Sequence, residues 1–295
     1  MKLLTGLSIF IMLVMPTAYA DSQKEEMTAA EFEASLNYQQ GEIKLSGGKA
    51  MLQVPEGFRY LNPANTQRVL EQAWGNPSGG GTLGMLFPAN VEPVDDGSWG
   101  VVITYQDDGH ISDEDADSID YAELLENMQA ETAQASKERV QAGYQPISLV
   151  GWAEVPRYDE YTKKMYWAKE LEFGTDGDRT LNYNVRVLGR DGVLVLNAVA
   201  GTNQLATIKD SMQDVIAFSN FTEGNRYADF DPDTDNIASY GLAALVGGTI
   251  AAKTGLLAKL LALLIVAKKF IIVFVIAIGA FLKKLFSRKK GGKSI

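Results

Sequence analysis

Apolar residues alternate with polar ones in several short runs of this chain, and between those runs they recur at helical spacing. Ile43 and Leu45 alternate with polar neighbours, as do Ala50, Leu52 and Val54, and Ser46-Gly47-Gly48 between them is turn chemistry. The pattern predicts a β-hairpin that stops at Pro55. Asn62-Pro63 offers an N-cap followed by proline at the first helical position, ahead of an apolar stripe of Val69, Leu70, Ala73 and Trp74. Trp99 to Tyr105 reads as a strand and Asp107 to Asp120 as an acidic loop. Asp120 then caps a long helix with the stripe Tyr121, Leu124, Leu125 and Met128, ending at Gly143.

Four strands follow: Ile147 to Ala153, Lys164 to Phe173, Thr180 to Leu188 and Val193 to Ala200. Thr175-Asp176-Gly177-Asp178 and Arg190-Asp191-Gly192 are hairpin turns, which make neighbouring strands antiparallel. A helix carrying Leu205, Ile208, Met212, Val215 and Ile216 on one face precedes a last short strand, Ala217 to Phe221. Ahead of all this, residues 21–40 are polar, with only Phe32, Leu36 and Tyr38 to bury. Thr28-Ala29-Ala30-Glu31 fits a capping box there. The fold class expected is α+β, an antiparallel sheet with flanking helices.

The two ends change the picture. Residues 1–20 read as a secretory signal: Lys2, an apolar run from Leu3 to Val14, Pro16, then Ala18-Tyr19-Ala20 before the cleavage point. Residues 41–236 form the acidic soluble domain, 237–287 a hydrophobic membrane anchor and 288–295 a basic tail. As one C-terminal transmembrane helix, Leu260 to Leu282 would reach roughly 34 Å. Lys268 and Lys269 inside it are costly, and a shift of the span lets them and Lys283-Lys284 reach opposite faces of the membrane. The positive-inside rule then puts the tail in the cytoplasm and the domain in the periplasm, on the inner membrane. A helical hairpin with Tyr240 to Val266 as its first span is the competing topology, and a helix lying on the surface is a third.

Charge is segregated. Of the 27 basic residues, one lies in the leader and ten after Ile237, which leaves 16 against 37 acidic residues and a net charge of −21 on the soluble part. Such a domain repels nucleic acid and favours cationic partners or divalent ions, although solubility alone accounts for the bias. Cysteine is absent and His110 is the single histidine, so disulfides, thiol chemistry and most transition-metal sites are excluded.

Candidate chemistry is sparse. Asp113, Asp115 and Asp117 alternate, as do Asp229, Asp231, Asp233 and Asp235, and alternating carboxylates suit Ca²⁺. Neither run keeps the EF-hand register, and solvated loops explain both. The glycines at Gly79-Gly80-Gly81 and Gly84 lack the Lys-Ser/Thr that a phosphate loop needs. Trp152, Arg157, Tyr158 and Tyr161 are candidates for lining a ligand groove, and Glu154, Glu170 and Glu172 for a carboxylate pair in acid–base work. His110 beside Asp107 and Asp108 is a candidate base, with solvation the plainer reading.

Longer motifs carry a resemblance. GKAMLQVPEGFRYL, RVLEQAWGNP, GMLFPAN, DDGSWGVVITY, SDEDADSIDYAELL, LVGWAEVPRYD, KMYWAKELEF, LNYNVRVLGRDGVLVLNAV and RYADFDPDTDNIASYGLAALV, in that order from about Gly41 to the anchor, resemble domain-of-unknown-function family 2167. The resemblance implies a membrane-anchored bacterial protein and brings no activity or site residues. Val54 to Phe58 and Val193 to Phe221 also resemble the opening and ending of PsbP-like domains, which implies a mostly noncatalytic fold. The function expected is partner or ligand binding by an envelope protein without a cofactor. A carboxylate-dependent enzyme acting on an envelope polymer and a structural subunit of an inner-membrane complex are the rivals.

Overall fold

The structure is a computed structural model that describes residues 27–78, 81–174 and 177–247. The expected signal, the apolar runs beyond Gly247 with their transmembrane span, the basic tail, Gly79-Gly80 and the turn residues Thr175-Asp176 lie outside the described residues. Among the described residues no helix is long and apolar enough to cross a membrane.

The chain begins with α1 (Ala29–Ala34), β1 (Tyr38–Gln39), β2 (Gly41–Leu45), β3 (Ala50–Val54), β4 (Phe58–Leu61) and α2 (Pro63–Arg68). A π-helical turn, Val69–Ala73, extends α2 and is followed by β5 (Gly84–Pro88), β6 (Gly100–Gln106), β7 (His110–Ser112) and α3 (Tyr121–Gln141). Next come β8 (Ile147–Asp159), β9 (Lys164–Phe173), β10 (Asp178–Leu188), β11 (Val193–Gly201) and α4 (Leu205–Ala217). The described chain ends with β12 (Ser219–Phe221), β13 (Ile237–Gly241) and α5 (Leu242–Gly247).

Eight strands form one sheet in the order β1-β4-β5-β6-β11-β10-β9-β8, every pair antiparallel. Strand alternation divides its side chains between two faces. On the first face, Tyr183 and Val185 of β10, Leu194 and Leu196 of β11 and Ile103 of β6 pack under α4 and under the small sheet β12-β3-β2. On the second face, two separate apolar clusters sit at opposite ends. One gathers Met165, Trp167 and Val195 with Leu124 and Met128 of α3 and Leu242 and Leu245 of α5. The other gathers Met85 and Phe87 of β5 with Phe32 and Leu36 near α1 and with Val69.

Local chemistry places the helices as the sequence predicts. Thr28 and Glu31 complete the capping box of α1, Asn62 accepts from the Asn65 amide ahead of Pro63, and Asp120 accepts from Ala122 and Glu123. The hairpins β2–β3, β9–β10 and β10–β11 also form, with the large antiparallel sheet and flanking helices of an α+β fold. Four differences have physical causes. β8 continues past Ala153 to Asp159 through Pro156. It is an edge strand with three irregularities in register, where a proline need not donate. β4 and β5 show no alternation because both of their faces are buried, Tyr60 and Leu86 in the core under α4 and Leu61, Met85 and Phe87 in the cluster with α1. The stretch expected to be a uniform acidic loop contains β7, which pairs in parallel with β13. Finally, Ile237–Gly247, read from the sequence as the start of the hydrophobic anchor, are strand and helix of this domain, with Leu242 and Leu245 in its core.

Candidate functional site

Between its two apolar clusters the second face of the sheet carries polar as well as apolar side chains, and there it is open. The cleft has a volume of about 1030 Å³. Its floor is Thr180 and Asn182 of β10, Asn197 and Val199 of β11, Val102 of β6, and Leu171 and Phe173 of β9. One wall is the end of α2 with its π turn, which presents Gln67, Leu70, Glu71 and Trp74. The other is the C-terminal end of α3, with Arg139, Tyr144 and Gln145.

The π turn follows from where the chain must go. Trp74 donates its amide to Val69 O (2.9 Å) and Asn76 to Leu70 O (2.9 Å), so the helix widens at its end. Such widened turns recur at functional sites. Trp74 Nε1 donates to Pro93 O (2.8 Å) and its ring meets Phe87 edge-on with centroids 6.1 Å apart, which fixes this wall. Opposite, Arg139 lies over the rings of Tyr144 (5.3 Å) and Phe173 (5.8 Å) and donates Nε to Gln145 O (3.1 Å).

The floor is chemically unusual. Asn197 Nδ2 reaches Asn182 Oδ1 at 3.4 Å, and Asn184 Nδ2 donates to Asn182 O at 3.0 Å. Asn197 Oδ1 and Thr180 Oγ1 are buried without any hydrogen-bond partner. Buried polar atoms are costly when unpaired, and native proteins retain few of them. Both of these atoms belong to residues that line the cleft. Glu71 is the one carboxylate among the described lining residues, and Gln67 Nε2 donates to it at 2.9 Å.

The residues singled out from sequence lie elsewhere. The groove expected from Trp152, Arg157, Tyr158 and Tyr161 is not assembled. Trp152 and Tyr158 pack against the α3 cluster, with Trp152 Nε1 donating to Tyr121 O (3.1 Å) and Tyr158 Oη to Asp113 Oδ2 (2.7 Å). Arg157 lies 4.1 Å over the ring of Tyr166, which belongs to the other face, and Tyr161 is 100% exposed on the turn. The irregular register of β8 turns neighbouring side chains to opposite sides, so sequence proximity misleads there.

The acidic runs are likewise occupied by the protein itself. Asp113 accepts from Lys163 (2.8 Å) and Tyr158, and Tyr227 reaches it at 3.2 Å. The Lys163 ammonium and these hydroxyls hold the Asp113 carboxyl below the usual range against its own burial. Asp115 accepts the Leu242 and Ala243 amides at 2.9 and 3.2 Å, capping α5 from a distant part of the chain. Asp117 lies in a 3₁₀ turn, Asp229 accepts the Arg226 amide, and Asp231 accepts the Asp233 amide in a tight turn. Asp235 forms a two-bond pair with Arg190, which holds its carboxyl far below normal. Among the described residues no group of three or more His, Cys, Asp or Glu side chains is placed to hold a metal ion.

His110 is buried rather than solvated: its ring stacks on Phe230 at 3.8 Å and lies 4.2 Å from Tyr227. Burial lowers its pKa. Glu170 and Glu172 share Arg179, and Glu154 pairs with Lys209 of α4. All three carboxylates are thus held in ion pairs outside the cleft, with no pair of acids assembled there.

The comparisons with known proteins give a family and no activity. The family model described as protein of unknown function (DUF2167) matches residues 37–279, and the chain belongs to that family. No match is found among curated proteins. Among solved structures, the cyanobacterial PsbP of Synechocystis sp. PCC 6803 is similar at 10% identity and a TM-score of 0.35, over 63% of this chain and 94% of that one. The Saccharomyces cerevisiae Ran-binding protein Mog1p is similar at 10% identity and a TM-score of 0.30, over 63% of this chain and 96% of its own. LpqN of Mycobacterium tuberculosis, described as involved in cell envelope biogenesis, is similar at 13% identity and a TM-score of 0.30, over 65% and 96% of the two chains.

Proposed function

We propose that this chain is a noncatalytic binding protein of the bacterial envelope, holding a ligand in the cleft between α2 and α3. The reading has it exported by its N-terminal signal and held at the inner membrane by its C-terminal apolar runs, with the acidic domain in the periplasm. The leader ending in Ala18-Tyr19-Ala20 and the lysine-flanked runs beyond Gly247 support the placement.

The observation that carries binding is the floor: an open cleft of about 1030 Å³ over neutral amide and hydroxyl groups, two of whose buried atoms have no partner. A bound molecule with hydrogen-bonding groups satisfies them. Among the described lining residues Glu71 and Arg139 are the charged side chains, one on each wall. Mass spectrometry of the full-length chain isolated in mild detergent tests the reading. A bound molecule accompanies the natural chain and is missing from Asn197→Leu at equal folded content. A chain that carries nothing in either form argues against it.

A further inference from the structure

Beyond the floor the same sheet face carries two positive charges that no carboxylate among the described residues neutralises. Alternation puts Lys169 on the cleft face of β9, between Trp167 and Leu171. Its Cα partner is Asn182, which lines the cleft, so Lys169 stands at the inner margin of the floor. Arg186 lies further along β10 on the same face, paired with Met165, and its guanidinium stacks over the Trp167 ring at 4.7 Å.

Among the described residues neither side chain has a carboxylate partner. Arg186 Nε is buried with no hydrogen-bond partner, and its Nη1 makes only long contacts, 3.5 Å to Asn184 Oδ1 and 3.4 Å to Val185 O. Burial lowers the Lys169 ammonium to about 8, and the like charge of Arg186 adds to that. Burial also lowers Arg186, to about 10. Two desolvated cations on one sheet face, each acting on the other's charge, are unfavourable unless an anion joins them. An arginine held over an aromatic ring with its Nε unpaired is suited to the paired oxygens of a carboxylate or phosphate.

We infer that Lys169 and Arg186 are an anion-recognising pair beside the cleft, between its floor and the α3–α5 cluster, and that its ligand carries an oxyanion group that reaches them while its neutral part lies over Asn182 and Asn197. The inference rests on the cleft being a ligand site and adds the charge of the ligand. The domain's strongly acidic surface repels anions in general, so this pair confines recognition to a ligand that also fits the floor.

The test is a titration of the full-length protein in detergent with inorganic phosphate and with succinate, against chloride at matched ionic strength, read by ¹⁵N-lysine NMR. Saturable movement of the Lys169 Nζ signal, with its pKa rising toward the ordinary lysine value, is the expected result. Lys169→Met and Arg186→Met each weaken binding by at least about ten-fold, whereas Lys209→Met leaves it unchanged. Phosphatidylglycerol vesicles form a second arm: saturation by the soluble anions assigns a free oxyanion, and saturation by vesicles alone assigns a lipid headgroup. No shift of Lys169 with any of the three probes overturns the inference, as does binding that survives both substitutions. The NMR readout on the natural chain stands even if a substituted chain misfolds. A ligand found in the cleft by mass spectrometry together with an unmoved Lys169 leaves the cleft assignment intact and removes the oxyanion.

Discussion

Asn197 and Asn182 meet across the central strands β11 and β10, Nδ2 to Oδ1 at 3.4 Å. The contact is long for a hydrogen bond, and Asn197 Oδ1 has no partner at all. The pair is therefore a poor stabiliser. Replacing Asn197 with Val supplies a β-branched side chain and removes an unsatisfied buried group. We expect Asn197→Val to be as stable as the natural chain, or more stable by about 1 kcal/mol, while losing the cleft ligand. Thermal denaturation beside ligand retention separates the two effects, and a strongly destabilised variant would show that the pair serves the fold.

Asp115 reaches across the chain to the Leu242 and Ala243 amides. Removing that cap with Asp115→Ala should cost about 1 kcal/mol in a denaturant titration. Because the carboxylate is engaged by backbone donors, calcium should not raise the melting temperature of the natural chain. A calcium-dependent rise that Asp115→Ala abolishes would restore the acidic run as a cation site.

Glu33 of α1 faces Arg59 at 3.5 Å, close to Glu92, and accepts from the Tyr38 hydroxyl. Burial and the neighbouring Glu92 carboxyl raise its pKa from 4.5 to about 7. The folded chain thus holds a proton that the unfolded chain releases between those values. Glu33 contributes stability below 4.5, and that contribution is lost as the pH rises through about 7. Stability curves of Glu33→Gln should be flatter than those of the natural chain in this window and lie above them at pH values beyond it. Parallel curves would contradict the account.

Gly84 opens β5 with φ +136°, and a Cβ there would sit 2.2 Å from Cε2 of the buried Tyr60 ring. Gly97 also has positive φ, +74°, but has open space around it. Gly84→Ala should therefore cost about 3 kcal/mol or more, through clash and strain together, and Gly97→Ala only about 1 kcal/mol. Equal losses in urea titrations would show that the close approach of Tyr60 is not what requires glycine.

Local signals made much of this fold legible. Proline at position 63, Asp120 and the Thr28–Glu31 box each act within one turn of chain, so their elements follow from sequence. The parallel pairing of β7 with β13 joins residues more than a hundred positions apart and has no local trace. The cleft was less visible still. Asn182, Asn184 and Arg186 alternate with Leu181, Tyr183 and Val185, a pattern that also describes a solvated sheet face. The better signal is Asn197, a lone amide in the otherwise apolar run Val193 to Gly201. Trp152 and Arg157 looked like neighbours because the irregular register of β8 is not written in their spacing.

The most direct test of the cleft as the binding site is photo-crosslinking in living cells from a single benzoylphenylalanine placed at Gln67, on the exposed rim, or at Lys44, on the small sheet of the other face. The account predicts a discrete adduct from position 67 that Asn197→Leu removes, and none from position 44. Equal labelling from both positions, or an adduct at 67 that is indifferent to Asn197, would contradict it.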